Sequence, residues 1–249
     1  MLYRAPVVTL LARPSFSEPA HLPVHWLGES TDAERLAEFA GRLCYMSQAN
    51  PAGRNTRDYL ENIKKQGHGS VLEHANYTLL LEGVSRSLTH ELVRHRAGFA
   101  YSQLSQRYVD ESDAAFVVPP AMIGDDKLEA EWKTEIDRSL AAYVRLVGEL
   151  MEQYAWVTDR VHRRKMAREA ARGVLPNSTE TKIVVTANAR AWRTMLELRA
   201  GEGADLEIRR MAVAVLKLLK AEAPGFFSDF EIYEASDRRE AARVGFHKV

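Results

Sequence analysis

The chain has 249 residues, of which 46% are hydrophobic and 27% are charged, and these proportions are typical of a globular protein. Its 34 lysines and arginines balance its 34 aspartates and glutamates, so the overall charge favours binding of neither nucleic acid nor membranes. The single cysteine, Cys44, excludes an internal disulfide framework and a cysteine-based zinc site.

The first part of the chain predicts a strand followed by two helices. Valine and leucine dominate residues 6–11, which indicates a strand. A capping-box pattern starts a helix at Thr31, and Cys44 follows its apolar face as a residue that we interpret as a small buried hydrophobe. This apolar face consists of Leu36, Phe39, Ala40 and Leu43. A second helix is predicted over residues 55–66, with Gly67 as its C-terminal stop.

The short apolar run at the start of the chain also bears on location. Arg13 and Pro14 interrupt it, so it is too short for a signal-peptide core with its flanks. No run elsewhere approaches the ~20 apolar residues of a membrane span. We therefore expect a cytoplasmic protein with no membrane partner.

The middle of the chain predicts a strand, a helix and a loop. Large apolar side chains recur at every second position of residues 77–82, as they do in a strand. Ser85 can cap a helix that runs into Arg94, and Gly98 then disfavours its continuation. We therefore expect a loop from there to Ser105, and functional groups are often carried on loops.

The C-terminal half predicts four helices and one strand. A long amphipathic helix covers residues 125–154 and a basic helix covers residues 159–172. A strand at residues 181–186 leads into a helix that opens at Asn188, and a last amphipathic helix covers residues 204–218.

No internal repeat, low-complexity tract or interdomain linker is evident, so we expect a single domain over residues 1–249. Residues from about 236 to 249 are rich in charge, and we predict that they form a peripheral tail. Together, these elements indicate helices combined with a sheet.

Residues 86–108 concentrate positive charge in a way that packing does not explain. The arginines of this stretch are Arg86, Arg94, Arg96 and Arg107. They stand with two histidines against one acid, Glu91. A guanidinium offers paired planar donors to phosphates and flat heterocycles at any physiological pH. Together with Arg172, Arg190 and Arg199 on other elements, these groups predict a site for a multi-phosphate ligand, without metal or thiol.

Other kinds of site fit the residues poorly. His90 and His95 are five positions apart, so they point roughly 140° apart on a helix and cannot share a metal ion from one face. Gly201 and Gly203 lack the third glycine and the preceding strand of a dinucleotide motif. Ser105 lacks the flanking glycines of a hydrolase nucleophile elbow.

The segment Arg94-His95-Arg96, followed after eight residues by Ser105, resembles the RHR(x7–8)S signature of flavin-dependent thymidylate synthases. Further matching blocks occur in the family's order and cover about residues 44–209. These blocks are His68-Gly69-Ser70 with Glu73-His74, Arg172 with Leu175-Pro176, Asn188-Ala189-Arg190, Leu198-Arg199-Ala200, and Glu207-Ile208.

The resemblance implies an α+β fold, with a β-sheet flanked by helices, and a homotetramer whose active sites are shared between chains. It also implies conversion of dUMP to dTMP, with methylenetetrahydrofolate as carbon donor, FAD as hydride carrier and NADPH as reductant. This family uses no cysteine nucleophile, which is consistent with the single cysteine of this chain.

The resemblance further implies a set of site residues. Arg199 is the expected catalytic residue, which polarises the uracil ring as its N3-deprotonated form. The expected dUMP-binding residues are Glu91, Leu92, Val93, Arg94, Gln103, Leu104, Ser105, Gln106, Arg107, Arg172 and Arg199. Arg107 and Arg172 are expected to bind the phosphate. The expected flavin-binding residues are Ser70, Arg94, His95, Arg96, Gln103, Asn188, Ala189, Arg190 and Thr194.

Three neighbours of the flavin receive weaker roles. Glu73 is expected to support the flavin-binding wall, and His68 is expected near the ring where folate or nicotinamide stacks. Cys44 occupies a position where some relatives have a flavin-contacting serine. Because a thiol is a weaker hydrogen bonder, we retain the buried interpretation for it.

Two alternatives remain open from the residues. The first is a non-enzymatic nucleotide- or RNA-binding module that uses the basic surfaces of residues 86–107 and 160–172. Such a module would show steeply salt-dependent affinity, although the balanced overall charge argues against it. The second is a flavin-binding chain of the same fold that has no methylation activity.

Overall fold

The computed structural model describes every residue from Met1 to Val249. The chain divides into two compact units. The first unit comprises Met1–Pro6, Glu82–Leu92 and Ser102–Ile183. The second unit comprises Val7–Leu81, Val93–Tyr101 and Val184–Val249. None of the helices combines the length and the apolar content that crossing a membrane requires.

Helices and strands are both abundant, which confirms the predicted α+β class. The strands are β1 (Leu2–Tyr3), β2 (Val7–Ala12), β3 (Asn76–Ser85), β4 (Phe99–Gln103), β5 (Phe116–Val117), β6 (Glu180–Asn188), β7 (Phe230–Glu234) and β8 (Glu240–Val244). The α-helices are α1 (Asp32–Leu43), α2 (Thr56–Lys65), α3 (Arg86–Leu92), α4 (Asp126–Gln153), α5 (Arg160–Ala171), α6 (Ala189–Arg199), α7 (Leu206–Glu222) and α8 (Pro224–Phe227). Two 3₁₀ helices cover Gly69–His74 and Arg172–Val174.

The largest sheet has four strands in the order β2-β3-β6-β4. Two small sheets accompany it: β1 pairs in parallel with β5, and β7 pairs antiparallel with β8. The alternation predicted for the strand at residues 77–82 is confirmed, because Tyr77, Leu79 and Leu81 are buried.

The core of the second unit is built around α6 and α7. Trp192 and Met195 of α6 are fully buried, as are Ile208 and Val215 of α7. The predicted amphipathic spacing is therefore confirmed at these four positions, whereas Leu198 near the end of α6 is 60% exposed. Helix α7 begins at Leu206, because the side chain of Asp205 accepts a hydrogen bond from Glu207 N and caps the helix there.

The long helix α4 belongs to the first unit and buries less than its sequence predicts. Ile136 packs with Ala114 and Phe116 in a small core, and Tyr143 is also buried. The rest of the apolar stripe is half-buried or exposed, and Leu128 is 42% exposed. The apolar stripe of α4 is therefore longer than the small core of the first unit against which it packs.

The predicted loop through Ser105 is wrong for residues 99–103, which form strand β4. Ser85 caps the preceding helix as predicted, since its Oγ accepts a hydrogen bond from Leu88 N at 3.0 Å. That helix, α3, ends at Leu92, two residues before Arg94. Gly98 has a φ of +76°, so the chain turns there and enters the edge of the sheet beside β6.

The predicted capping box at Thr31 is confirmed, but the buried face of α1 differs from the predicted one. Ala33, Ala37 and Gly41 are buried, whereas Leu36, Phe39, Ala40 and Leu43 are half-buried or exposed. The buried face also holds Glu38 and Arg42, which neutralise each other across 2.6 Å. Because this ion pair occupies the inner face, the larger apolar side chains lie outward.

Two further predictions are corrected by the structure. Cys44 is exposed, since it continues the outward face of α1 and does not join the core. The C-terminal segment is not peripheral: residues 240–244 form β8, and Ala241, Ala242 and Val249 are buried. The segment is held by its backbone, as Ala242 N donates to Ala200 O at 2.8 Å.

Candidate functional site

Gly98 positions the segment Arg94-His95-Arg96 against the start of α6, within the second unit. A Cβ added to Gly98 would lie 2.8 Å from Asn188 Nδ2 and 2.9 Å from the Cβ of Ala191. Contacts that short do not occur between real side chains. Glycine is therefore required at this position both for its positive φ and for the close approach to α6.

Asn188 fixes the beginning of α6. Its Oδ1 accepts a hydrogen bond from Ala191 N at 2.8 Å, as an N-cap side chain does. Ala189 N donates to Ala75 O at 2.8 Å, so the first turn of the helix is also tied to the residue before β3. The amide of Asn188 is held in a fixed orientation beside Gly98.

A cavity of about 380 Å³ opens where this segment meets α6. The predicted flavin-binding residues that line it are His95, Arg96, Asn188, Arg190 and Thr194. Glu73 lines it as predicted, while Gly98 and Phe99 are wall residues that the sequence did not indicate as site members. Guanidinium, amide and hydroxyl groups beside an aromatic ring suit a phosphate-bearing heterocycle.

Arg190 and Glu73 form an ion pair on this wall. Arg190 Nη1 lies 2.6 Å from Glu73 Oε1, and the two side chains are 40% and 47% exposed. A pair this exposed contributes little stability, so its effect is to orient the guanidinium. Glu73 thus supports the wall through Arg190.

Arg190 also lines a second cavity of about 330 Å³. Ser70 and His68 lie there, together with the exposed Cys44. Tyr45 and Tyr59 complete the polar wall, although neither was predicted as a site residue. The predicted flavin-binding residue Ser70 therefore lines the second cavity and not the first, and Arg190 lines both cavities.

His95 and Arg199, 104 positions apart in sequence, meet in the second unit. Arg199 Nε donates to His95 Nε2 at 3.1 Å. Burial lowers the pKa of His95, and the neighbouring positive charges of Arg199 and Arg94 lower that pKa further. A neutral imidazole that accepts at Nε2 carries its proton on Nδ1, so the pair is a cation held by a neutral acceptor.

The predicted nucleotide-binding run, residues 103–107, lies in the first unit. Gln103 Nε2 donates to Thr89 Oγ1 at 3.1 Å and to Thr181 Oγ1 at 3.3 Å. Ser105 Oγ accepts a hydrogen bond from Arg107 N at 3.3 Å. These contacts give the run a defined conformation without an added ligand.

The predicted phosphate-binding arginines have partners of their own. Arg107 Nε donates to Glu169 Oε2 at 2.8 Å, and both side chains are partly exposed. Arg172 is half-buried in a 3₁₀ helix. Burial lowers the pKa of Arg86, and the nearby positive charge of Arg172 lowers that pKa further. Arg86, which the sequence predicted as one of the phosphate-binding cations, therefore joins Arg172 in this basic region of the first unit.

The side chains of several residues that were predicted to contact a ligand are buried. Leu92 and Ala189 are fully buried, and Gln106 is buried with an Nε2 that has no hydrogen-bond partner. Ala189 N is already bonded to Ala75 O, so this amide is not free to donate to a ligand. Glu91 is half-buried, and Val93 is exposed at the end of α3.

Comparison with known proteins gives consistent matches. A family model described as "Thymidylate synthase complementing protein" matches residues 26–225. Over 241 residues the chain is 49% identical to the flavin-dependent thymidylate synthase of Mycobacterium sp. (strain JLS), with 94% of each chain covered. Identity is 48% and 47% over 237 residues to the proteins of the same name from Mycobacteroides abscessus and Mycobacterium bovis, again with 94% of each chain covered. Residues 26–225, which the family model matches, include every predicted site residue.

Proposed function

The chain belongs to the thymidylate synthase complementing protein family, and we propose that it catalyses the reductive methylation of dUMP to dTMP. In this proposal methylenetetrahydrofolate donates the carbon and NADPH is the reductant. The observation that carries it is the contact between Arg199 and His95 beside a cationic cavity, in a chain 49% identical to a flavin-dependent thymidylate synthase. The non-enzymatic RNA-binding alternative finds no support among these relatives.

We infer that the flavin is FAD. Arg96 and Arg190 offer paired donors for phosphate, and the close packing of Gly98 against α6 holds the segment that carries Arg96. A second cavity that shares Arg190 supports a ligand of two linked parts, which a dinucleotide is. When bound, the flavin supplies the hydride transfer, and the protein supplies binding and orientation. In this proposal His68, which lines the second cavity, contacts a ring stacked on the flavin.

Arg199 acts on the uracil ring in this proposal. His95 accepts at Nε2 and so restricts rotation of the guanidinium, which holds the cation in one orientation. A fixed positive charge near the imide stabilises negative charge on the N3-deprotonated ring. Because His95 is neutral, it orients Arg199 without adding repulsion.

Arg107 and Arg172 bind the dUMP phosphate in this proposal, and Ser105 contributes a hydroxyl contact. Glu169 now accepts from Arg107 Nε, so phosphate binding either replaces this partner or uses the terminal nitrogens of the same guanidinium. Gln103 is held by two threonines and presents its amide oxygen from a fixed side chain.

We also propose a homotetramer with sites shared between chains, located in the cytoplasm. The association of chains is supported by large apolar side chains that are exposed on α4 and on the turn after it, where Val144 is 47% and Trp156 is 73% exposed. The family match runs through both compact units, which supports treating residues 1–249 as one catalytic domain.

The visible absorption spectrum of the purified protein tests this function directly. We expect flavin bands that bleach on addition of NADPH and dUMP, and release of tritium from 5-tritiated dUMP when methylenetetrahydrofolate is present. A colourless protein that FAD cannot reconstitute would contradict the proposal. Bound flavin without tritium release would favour a chain that has the fold and lacks the activity.

A further inference from the structure

Asp229, just before β7, is a buried carboxylate that bonds two cations from different helices. Lys64 of α2 places its Nζ 2.8 Å from Asp229 Oδ1. Arg193 of α6 donates from Nη1 to Oδ1 at 2.7 Å and from Nη2 to Oδ2 at 2.8 Å. The Asp229 side chain is 8% exposed, and those of both cations are 2% exposed. No role in the proposed reaction has been given to any of the three.

The guanidinium of Arg193 is fully used within the protein. Besides Asp229, it donates to Phe246 O at 3.0 Å, to Val249 O at 3.2 Å and to Phe226 O. A planar fork with this many acceptors has one orientation only. Arg193 therefore fixes α6 to the C-terminal segment, including Val249.

A short series of contacts links this network to the flavin-side cavities. Helix α2 is followed by Gly67, with a φ of +73°, and then by Gly69. A Cβ added to Gly69 would lie 2.9 Å from Arg190 Nε and 3.2 Å from the carbonyl carbon of Val249. Arg190 stands three residues before Arg193 on α6, one helical turn away. The fit between Gly69 and Arg190 thus depends on how α2 and α6 are held.

Asp229 stays ionised in the folded protein. Burial by itself would raise the pKa of Asp229, but hydrogen bonds and positive charge from Arg193 and Lys64 lower that pKa to about 2. A buried ion cluster is seldom more stabilising than apolar packing of the same volume, whereas it does impose a defined geometry. The contribution expected from this cluster is therefore mainly to position its helices.

We infer that Asp229 is a positioning residue for flavin binding, because it holds α2 and α6 so that Gly69 and Val249 confine the Arg190 guanidinium. This inference rests on the proposed function, since it takes flavin as the ligand of the cavities that Arg190 lines. Glu73 then needs only to complete the orientation of a group that is already confined.

The test compares FAD affinity in Asp229→Asn with that in a matched control, Asp237→Asn. Asp237 also accepts a hydrogen bond from a buried arginine, Arg209, in the same unit, and neither residue contacts Gly69 or Arg190. We expect Asp229→Asn to raise the dissociation constant of FAD by about tenfold or more, measured by fluorescence titration of flavin-depleted protein below its melting temperature. Asp237→Asn should lower the melting temperature and leave FAD affinity as in the wild type.

A second variant, Lys64→Met, keeps the test decisive if Asp229→Asn does not fold. It removes only the α2 link and leaves Asp229 paired with Arg193. We expect weaker FAD binding by a folded protein. Wild-type FAD affinity in folded Lys64→Met, or in folded Asp229→Asn, would overturn the inference. A wild-type protein that binds no FAD would instead contradict the proposed function.

Discussion

His95 is the residue at which the proposed site becomes sensitive to pH. Its neutral Nε2 accepts from Arg199, and burial together with Arg199 and Arg94 lowers its pKa below the ordinary value of 6.5. Protonation removes the acceptor and adds a second cation beside Arg199. Activity should therefore fall as the pH drops through this lowered pKa.

The same shift makes stability depend on pH. The unfolded chain binds the proton on His95 more tightly than the folded chain does, so the stability contribution is complete above 6.5 and is lost as the pH falls toward the folded pKa. An NMR titration of the His95 ring should give this pKa directly. His95→Gln keeps an acceptor that does not titrate, and the acid limb of kcat/KM should disappear in it. Persistence of the limb would assign it to another group.

Arg199→Ala tests the predicted catalytic cation. We expect tritium release from 5-tritiated dUMP to fall by about 10²-fold or more, because a fixed charge at the imide acts mainly on the transition state. FAD should remain bound with an unchanged spectrum. The neighbouring Leu198 is 60% exposed, and Leu198→Ala should retain activity as a matched control. Equal losses in the two variants would assign the effect to the helix end and not to the guanidinium.

At the scale of elements, the turn at Gly98 connects the arginine segment to α6. Gly98→Ala introduces a methyl group 2.8 Å from Asn188 Nδ2 at a positive φ. We expect a loss of unfolding free energy of about 2–4 kcal/mol, as the backbone cost and the overpacking cost combine. Flavin content should fall as well, since the arginine segment must move away from α6.

Gly53→Ala is the control for this prediction. Gly53 also has a positive φ, of +59°, but has no neighbour within 4 Å of an added Cβ. It should show only the backbone cost, about 1 kcal/mol, with full flavin content. Chemical denaturation of both variants measures the difference. Equal losses for the two glycines would exclude the close approach to α6 as the cause.

Elements were predicted best where a local pattern is sufficient. The capping box at Thr31 and the cap at Ser85 involve residues within three positions, so the sequence contains both partners. The face of α1 was predicted wrongly, because Glu38 and Arg42 are buried as a pair and displace the larger apolar side chains outward. Strand β4 was missed because an edge strand covered on one face can carry as many polar residues as a loop.

At the scale of the whole molecule, the proposal that sites are shared between chains predicts complementation between inactive variants. Arg107→Ala removes a nucleotide-side group from the first unit, and Arg199→Ala removes a catalytic group from the second. If one site takes these arginines from different chains, a mixture of the two variants should regain tritium release after subunit exchange. Each variant alone should stay inactive.

The oligomeric state must be measured in the same samples. Light scattering coupled to size exclusion should give the mass of a tetramer of the 28.1 kDa chain. Fluorescent labels on the two variants report whether subunits have exchanged. Exchange without regained activity would show that each site draws both arginines from one chain.

The sequence alone determined the family and the class of fold, and it predicted the chemistry of the site. The family could be identified because the motif around Arg94-His95-Arg96 and the blocks near Ser70, Asn188 and Arg199 are short stretches of sequence. The chemistry of the site could be predicted because the charge and hydrogen-bonding groups of a side chain follow from the residue type. Helices α6 and α7 were also predictable, because their apolar spacing follows the helical period.

Only the tertiary structure decided which groups meet and which are buried. The contact of Arg199 with His95, the approach of Gly69 to Arg190 and the bond of Asp229 to Lys64 join residues that lie more than a hundred positions apart. The exposure of Cys44 and the burial of Val249 depend equally on distant elements. Burial is set by the surface that the rest of the chain offers to a residue, and no local pattern contains that information.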